Sequence, residues 1–221
     1  MTKQEIRAAV RAAAQAVLDP AQAASDQVQN VLDPAQVTSD HVQNVLDPVQ
    51  ASRAVLDTLR TLPEFRAASR ILAYMPMSGE VDCTPLYSIT DLRFALPRVV
   101  SEDLELRSYD PALLVPGYRG ILEPSADALL VEAGDIDLAI IPGVAFDRNC
   151  MRLGHGKGYY DRLLERLHCP IIGICFHYRL VERIPADPWD RPVDVLITEK
   201  CCIRRDGTDL ALRSAVHNVK P

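Results

Sequence analysis

Between Pro142 and Arg162 the chain reads PGVAFDRNCMRLGHGKGYYDR, in which Gly154, Gly156 and Gly158 alternate with His155 and Lys157. Glycine lets the backbone approach an anion closely and adopt positive φ, and a helix starting just beyond presents unpaired N–H groups at its positive end. Lys157 adds a mobile charge, and Arg152 a planar guanidinium able to grip two oxygens at once. Together these residues have the chemistry of a phosphate cradle. The pattern is neither a Walker A loop, which has a wider gap between its glycines and Ser or Thr after its lysine, nor a dinucleotide GxGxxG. The same residues also suit a tight strand-to-helix turn, and spacing alone does not choose between the two.

Asp161 also has two readings. Four residues after Lys157, it suits a solvated helix pair worth about 0.3–0.5 kcal/mol. It also suits a carboxylate on Mg²⁺, which takes one or two protein carboxylates plus substrate phosphates. Tyr159 and Tyr160 are core or capping candidates, or a platform on which a flat ring stacks.

The elements that must hold this segment follow from hydrophobic periodicity. Ile6, Val10, Ala13, Ala14 and Val17 share one helical face, so Lys3–Leu18 reads as an amphipathic helix, stopped by Asp19-Pro20, which could cap another. A 14-residue unit then recurs: VLDPAQAASDQVQN at Val17, VLDPAQVTSDHVQN at Val31 and VLDPVQASRAVLDTLR at Val45. Its period is shorter than a stacking solenoid needs, so it reads as tandem duplication of a short helix–turn segment without chemistry of its own. From Arg70, β-branched runs alternate with helical ones. Strands are expected at Ile71–Met75, Arg93–Val100, Asp137–Ile141, Ile171–Phe176 and Val193–Thr198, with Leu104–Tyr109 as an edge strand. Helices are expected at Pro85–Thr90, capped by Thr84, and at Gly158–Leu167. Runs such as LAII and IIGIC are apolar throughout, as parallel strands covered on both faces require. The expected fold is a three-layer α/β sandwich with its ligand beyond the carboxyl ends of the strands.

With 221 residues, 48% of them hydrophobic and 24% charged, the chain suits one domain with a sizeable core. Its net charge of -6 argues against general nucleic-acid binding, which needs a clustered basic surface. Leu138–Phe146, the longest apolar run, is broken by Pro142 and Gly143 and too short to span a bilayer. Glu5, Arg7 and Arg11 in the first segment do not suit a signal peptide, so a cytoplasmic setting is expected. The six cysteines show no CxxC pair and no metal-type spacing with the histidines, which suits reduced thiols.

Pro142–Arg162 resembles the PGxAFDxxGxRLGxGxGYYD signature of the 5-formyltetrahydrofolate cyclo-ligase family. Leu62–Leu86, with Glu-Val-Asp-x-Thr at Glu80–Thr84, resembles a second landmark of that family. Gly120–Pro124, Leu180–Pro185 and Asp190–Glu199 follow in its order, and Lys3 and Arg7 match its Lys-x-x-x-Arg pair. The resemblance covers most of residues 1–18 and 54–199. It implies an α/β/α sandwich with a mostly parallel sheet, related to sugar-phosphate isomerases and coenzyme A transferases. One domain is expected over 1–221, with the repeats inserted at about 17–53 and a short tail after 205.

The implied reaction turns 5-formyltetrahydrofolate and ATP, with Mg²⁺, into 5,10-methenyltetrahydrofolate, ADP and phosphate, with no protein nucleophile. Residues implied for ATP are Lys3, Arg7, Arg152, Leu153, Gly154, His155, Gly156, Lys157, Gly158, Tyr159 and Tyr160. Those implied for the folate are Met75 and Glu80, together with His155, Gly156, Lys157, Gly158 and Tyr159, and those for Mg²⁺ are Asp161 and Asp190. Folate and ATP are the partners implied, for a monomer or weak dimer without nucleic acid or membrane.

The sequence departs from the family pattern at four places. Cys150 stands at a usual glycine, Trp189 stands at a usual histidine, the stretch from Thr84 to Pro97 is short, and two extra repeat copies follow the first helix. The departures leave open a folate- or nucleotide-binding paralogue without turnover, and the fold relationship leaves open a sugar-phosphate isomerase working without ATP. A scaffolding role for the repeats is the weakest alternative, because they offer no large apolar surface.

Overall fold

A computed structural model describes residues 1–18, 47–187, 190–207 and 209–210. Helix α1 is Lys3–Leu18, α2 Pro48–Thr61, α3 Pro63–Ala67 and α4 Tyr159–Arg166. The strands of the first half are β1 (Arg70–Leu72), β2 (Arg93–Val100), β3 (Asp103–Ser108), β4 (Leu114–Pro116), β5 (Leu122–Pro124) and β6 (Leu130–Val131). Those of the second half are β7 (Leu138–Ile141), β8 (Ala145–Asp147), β9 (Arg152–Leu153), β10 (Ile171–Ile174), β11 (Leu180–Val181), β12 (Val195–Ile197), β13 (Cys202–Arg204) and β14 (Asp209–Leu210).

Among the described residues the main sheet runs β14-β13-β12-β10-β7-β1-β2-β3-β6. Its five central strands, β12 to β2, are mutually parallel, and the outer pairings are antiparallel. The central strands β7, β10 and β12 are buried along their whole length, as two-sided coverage demands, and successive residues face alternate cores. Ile71, Leu138, Ile140, Ile172, Val195 and Ile197 face one core with α2 and α3. Leu72, Ala139, Ile141, Ile171 and Leu196 face the other with Leu163 and Leu164 of α4. The expected three layers are present.

Local chemistry explains the helix boundaries. Asp47 is the N-cap of α2 and Pro48 its first residue, although the Asp47 side chain accepts no capping bond. The third repeat copy thus runs into a helix whose Ala51, Val55, Leu56 and Leu59 are buried. Leu62 is extended (ψ 138°) because the ring of Pro63 disfavours helical backbone before it, and this separates α2 from α3.

Three expectations are corrected. Pro85–Thr90 is a 3₁₀ turn at Thr84–Ser88, and Thr84 begins it without capping it. The Asp82 carboxylate does the local bonding instead, accepting from the N–H and hydroxyl of Thr84. Residues 104–109 do not form an edge, because β3 lies between β2 and β6. The repeat positions from Asp19 to Leu46, the Asp19-Pro20 stop and Trp189 lie outside the described residues.

The chain leaves β1 towards β2 on one side and β7 towards β10 on the other, so a crevice opens where their carboxyl ends part. Helix α1 closes this end. Its Ile6 and Val10 pack against Val144, Ala145, Leu153 and Ile184.

Candidate active site

The loop after β7 is built by a short hairpin. β8 pairs antiparallel with β9, matching Ala145 with Leu153 and Phe146 with Arg152. Its turn is tied by Asp147, a fully buried carboxylate accepting from the N–H groups of Asn149, Met151 and Ile184, each at 2.9 Å. Cys150 sits in this turn at φ 62°, the left-handed backbone foreshadowed by its place at a usual glycine, with its side chain buried. Sequence reasoning passed over Asp147, although an Asp before turn residues is the signal of such a side-chain clamp. Asp147→Ala should leave the buried Ile184 N–H unpaired and untie the turn bonds from Asn149 and Met151, costing about 2 kcal/mol or more, measured by denaturant unfolding. A loss under about 1 kcal/mol would show that the clamp does not hold the turn.

Beyond β9 two of the three loop glycines take the positive φ that glycine allows. Gly156 (φ 94°) and Gly158 (φ 71°) occupy left-handed backbone, and Gly158 is the N-cap of α4. Lys157 between them is exposed. The solvated Lys157–Asp161 pair does not form. Asp161 instead binds Arg152, Nη2 to Oδ1 at 2.5 Å. The Arg152 side chain is 4% exposed, its guanidinium lies 5.3 Å over the Tyr160 ring, and its buried Nε has no partner. A desolvated guanidinium with an unused donor has a hydrogen bond left to give, and carboxylate or phosphate oxygens are the acceptors that suit it. Burial, with the charge of Glu80 nearby, pushes the Tyr160 hydroxyl up, so it stays neutral.

Helix α1 supplies two more cations. Arg7 Nε donates to the Gly154 carbonyl at 2.8 Å, fastening the helix to the loop. Lys3 Nζ reaches Asp187 and Asp190, each at 2.6 Å. Burial raises the carboxyl of Asp190, but the Asp187 N–H and the Lys3 ammonium outweigh it and hold Asp190 below its ordinary value. Its stabilising contribution is therefore present above the ordinary carboxylate range and lost as pH falls through the depressed value. Arg191 fixes this segment by donating to the carbonyls of Leu164 and Leu167 at the end of α4.

On the β1 side, the Glu80 side chain is 6% exposed. It accepts from the Met77 N–H at 3.0 Å and lies 4.0 Å from His155 Nε2. The turn is braced by Arg179, a buried side chain donating to the carbonyls of Gly79 and Val144.

One cleft gathers every residue singled out in the sequence: Lys3, Arg7, Met75, Glu80, all of Arg152–Asp161, and Asp190. It has a wall that was not foreseen, formed by the apolar Pro97, Val99 and Leu104 and by Tyr118, Arg119, Ile121 and Glu123 of the β4–β5 hairpin. Among the described residues no cluster of three or more His, Cys, Asp and Glu is disposed around a metal position. Asp161 and Asp190 are hard oxygen donors on the cleft wall, the ligand type Mg²⁺ takes, and each is paired here with a cation, Arg152 and Lys3.

The family model for the 5-formyltetrahydrofolate cyclo-ligase family matches residues 1–199. A probable 5-formyltetrahydrofolate cyclo-ligase of Schizosaccharomyces pombe is 36% identical over 100 residues, 38% of this chain and 49% of that protein, so this match spans about half its length. The 5-formyltetrahydrofolate cyclo-ligase of Escherichia coli K12 is 31% identical over 153 residues, 63% of this chain and 83% of that protein. The solution structure of 5,10-methenyltetrahydrofolate synthetase from Aquifex aeolicus superposes with a TM-score of 0.72 at 33% identity, covering 98% of this chain and all of that one. No helix among the described residues is long and apolar enough to cross a membrane.

Proposed function

The chain belongs to the 5-formyltetrahydrofolate cyclo-ligase family, and from that premise we propose that its cleft converts 5-formyltetrahydrofolate and ATP into 5,10-methenyltetrahydrofolate, ADP and phosphate. The observation that carries this reading is the meeting of a buried, under-bonded Arg152 with the left-handed glycines around Lys157, next to Glu80 and Met75.

The chemistry follows from the leaving group. Oxide cannot leave a formamide, so the formyl oxygen attacks the γ-phosphorus of ATP and ADP departs. The resulting iminophosphate carries a good leaving group on carbon. The substrate's second nitrogen, already tethered nearby, attacks that carbon, loses its proton and expels inorganic phosphate. Catalysis of phosphoryl transfer is chiefly positioning and charge neutralisation. Lys3, Arg7, Arg152 and Lys157 supply cations to the triphosphate, and the N–H groups of the glycine loop supply fixed donors. Met75 and Glu80 hold the pterin side, with the loop's His155–Tyr159 stretch between the two ligands. Asp161 and Asp190 would hold Mg²⁺, which when bound would offset the negative charge of the phosphate oxygens.

The reading also makes the chain one catalytic domain, acting in the cytoplasm as a monomer or weak dimer on small molecules and not on nucleic acid. Lys157→Ala should raise KM for ATP about tenfold in an assay of methenyl product. An unchanged ATP dependence would remove the loop from the triphosphate site.

A further inference from the structure

The β4–β5 hairpin forms a wall of the cleft, yet nothing above gives it a task. It is firmly placed. Leu114–Pro116 pairs with Leu122–Pro124, and the buried Glu123 accepts from the Val99 N–H of β2 and from the Tyr118 N–H, each at 3.0 Å. A fixed carboxylate thus joins the hairpin tip to the central sheet.

At that tip Arg119 is held at φ 58°, ψ 22°, left-handed backbone that a residue with a Cβ adopts only under constraint. Its guanidinium lies 5.4 Å over the Tyr118 ring, and the Tyr118 ring meets Tyr159 edge-on at 6.2 Å. Arg119 makes no hydrogen bond or ion pair among the described residues. The other guanidinium and ammonium groups bordering this cleft are committed or already assigned. Lys3 holds Asp187 and Asp190, Arg7 holds the Gly154 carbonyl, Arg152 holds Asp161, and Lys157 belongs to the phosphate loop. The cleft therefore offers one uncommitted guanidinium, stacked on the Tyr118 ring of the hairpin.

We infer that Arg119 is a carboxylate-binding subsite that takes the glutamyl end of the folate, with Tyr118 as the platform that orients the guanidinium. This rests on the function proposed above and adds the recognition of the substrate's tail. A folate is a flat ring system joined through an aromatic ring to a carboxylate-bearing glutamyl group. The fold sets these parts side by side in that order: Met75 and Glu80 follow β1, Pro97 and Val99 lie on the neighbouring β2 with Leu104 on β3, and Arg119 is on the hairpin that Glu123 ties to β2. Guanidinium suits carboxylate because its planar donors meet both oxygens.

A second groove, lined by Arg11, Gln15 and Ser78, shares Glu80 and His155 with the cleft and offers the tail a rival exit. The test compares 5-formyltetrahydrofolate with the pteroate analogue that lacks the glutamyl group, as substrates of the native chain and of Arg119→Ala, Arg119→Lys and Arg11→Ala. The native chain should show a KM about fivefold lower for the folate than for the pteroate. Arg119→Ala should erase that preference by raising KM for the folate, with kcat moving less, and Arg119→Lys should restore part of it. A preference kept in Arg119→Ala, or lost in Arg11→Ala instead, overturns the subsite and leaves the reaction standing. Absence of turnover of either substrate by the native chain overturns the reaction itself, and the subsite with it.

Discussion

Arg152→Ala should lower kcat/KM for ATP by about 10²–10³-fold, the scale on which one preorganised donor to a developing charge is lost. The reasoning begins with burial. The guanidinium is nearly shut off from water, so its charge acts through a poorly screened medium, and its Nε is left without an acceptor. Strand pairing of β8 with β9 points it at the glycine loop, so it is held in place before any triphosphate arrives. The substitution also removes the partner of Asp161 and the packing over Tyr160, so thermal unfolding must accompany the kinetics. Arg152→Lys separates the two contributions, because it keeps a charge but not the planar fork. A variant that folds well and uses ATP normally would mean that Arg152 is only a structural partner of Asp161.

Asp161→Asn should raise the Mg²⁺ concentration needed for half-maximal rate by about tenfold. Asparagine keeps an acceptor for Arg152 Nη2, so the fold and the loop should be little disturbed, while the carboxylate charge is gone. Titration of Mg²⁺ at saturating ATP and folate is the measurement. An unaltered titration would assign Asp161 to holding Arg152 and nothing more. The two substitutions are coupled through one 2.5 Å contact, so their effects should not add in the double variant.

Much of this site was legible in the sequence because its signals are local. Glycines spaced two apart fix the backbone freedom of the loop, and the apolar run ending at Ile141 fixes the strand that delivers it. What sequence missed depends on contacts far apart in the chain. Pairing of Asp161 with Arg152 in place of Lys157 follows from β9 folding back on β8, which periodicity does not register. Glu123 gains its role from a β2 N–H, 24 residues away in sequence. The helical spacing of Ala51, Val55 and Leu59 was obscured by the repeat in which it begins, since the repeated letters read as an inserted helix–turn duplication while the third copy enters the core. Thr84 suited a helix cap by type, but its hydroxyl turns back to donate to the Asp82 carboxylate two residues earlier, and the turn has no side-chain cap.

The most direct test is a single incubation of the purified chain with 5-formyltetrahydrofolate, Mg²⁺ and limiting ATP, following methenyl product by absorbance and ADP by coupled assay. One methenyl product should form for each ADP released, and none should form when ATP is withheld. Binding of both ligands without product, or product formed without ATP, would contradict the account.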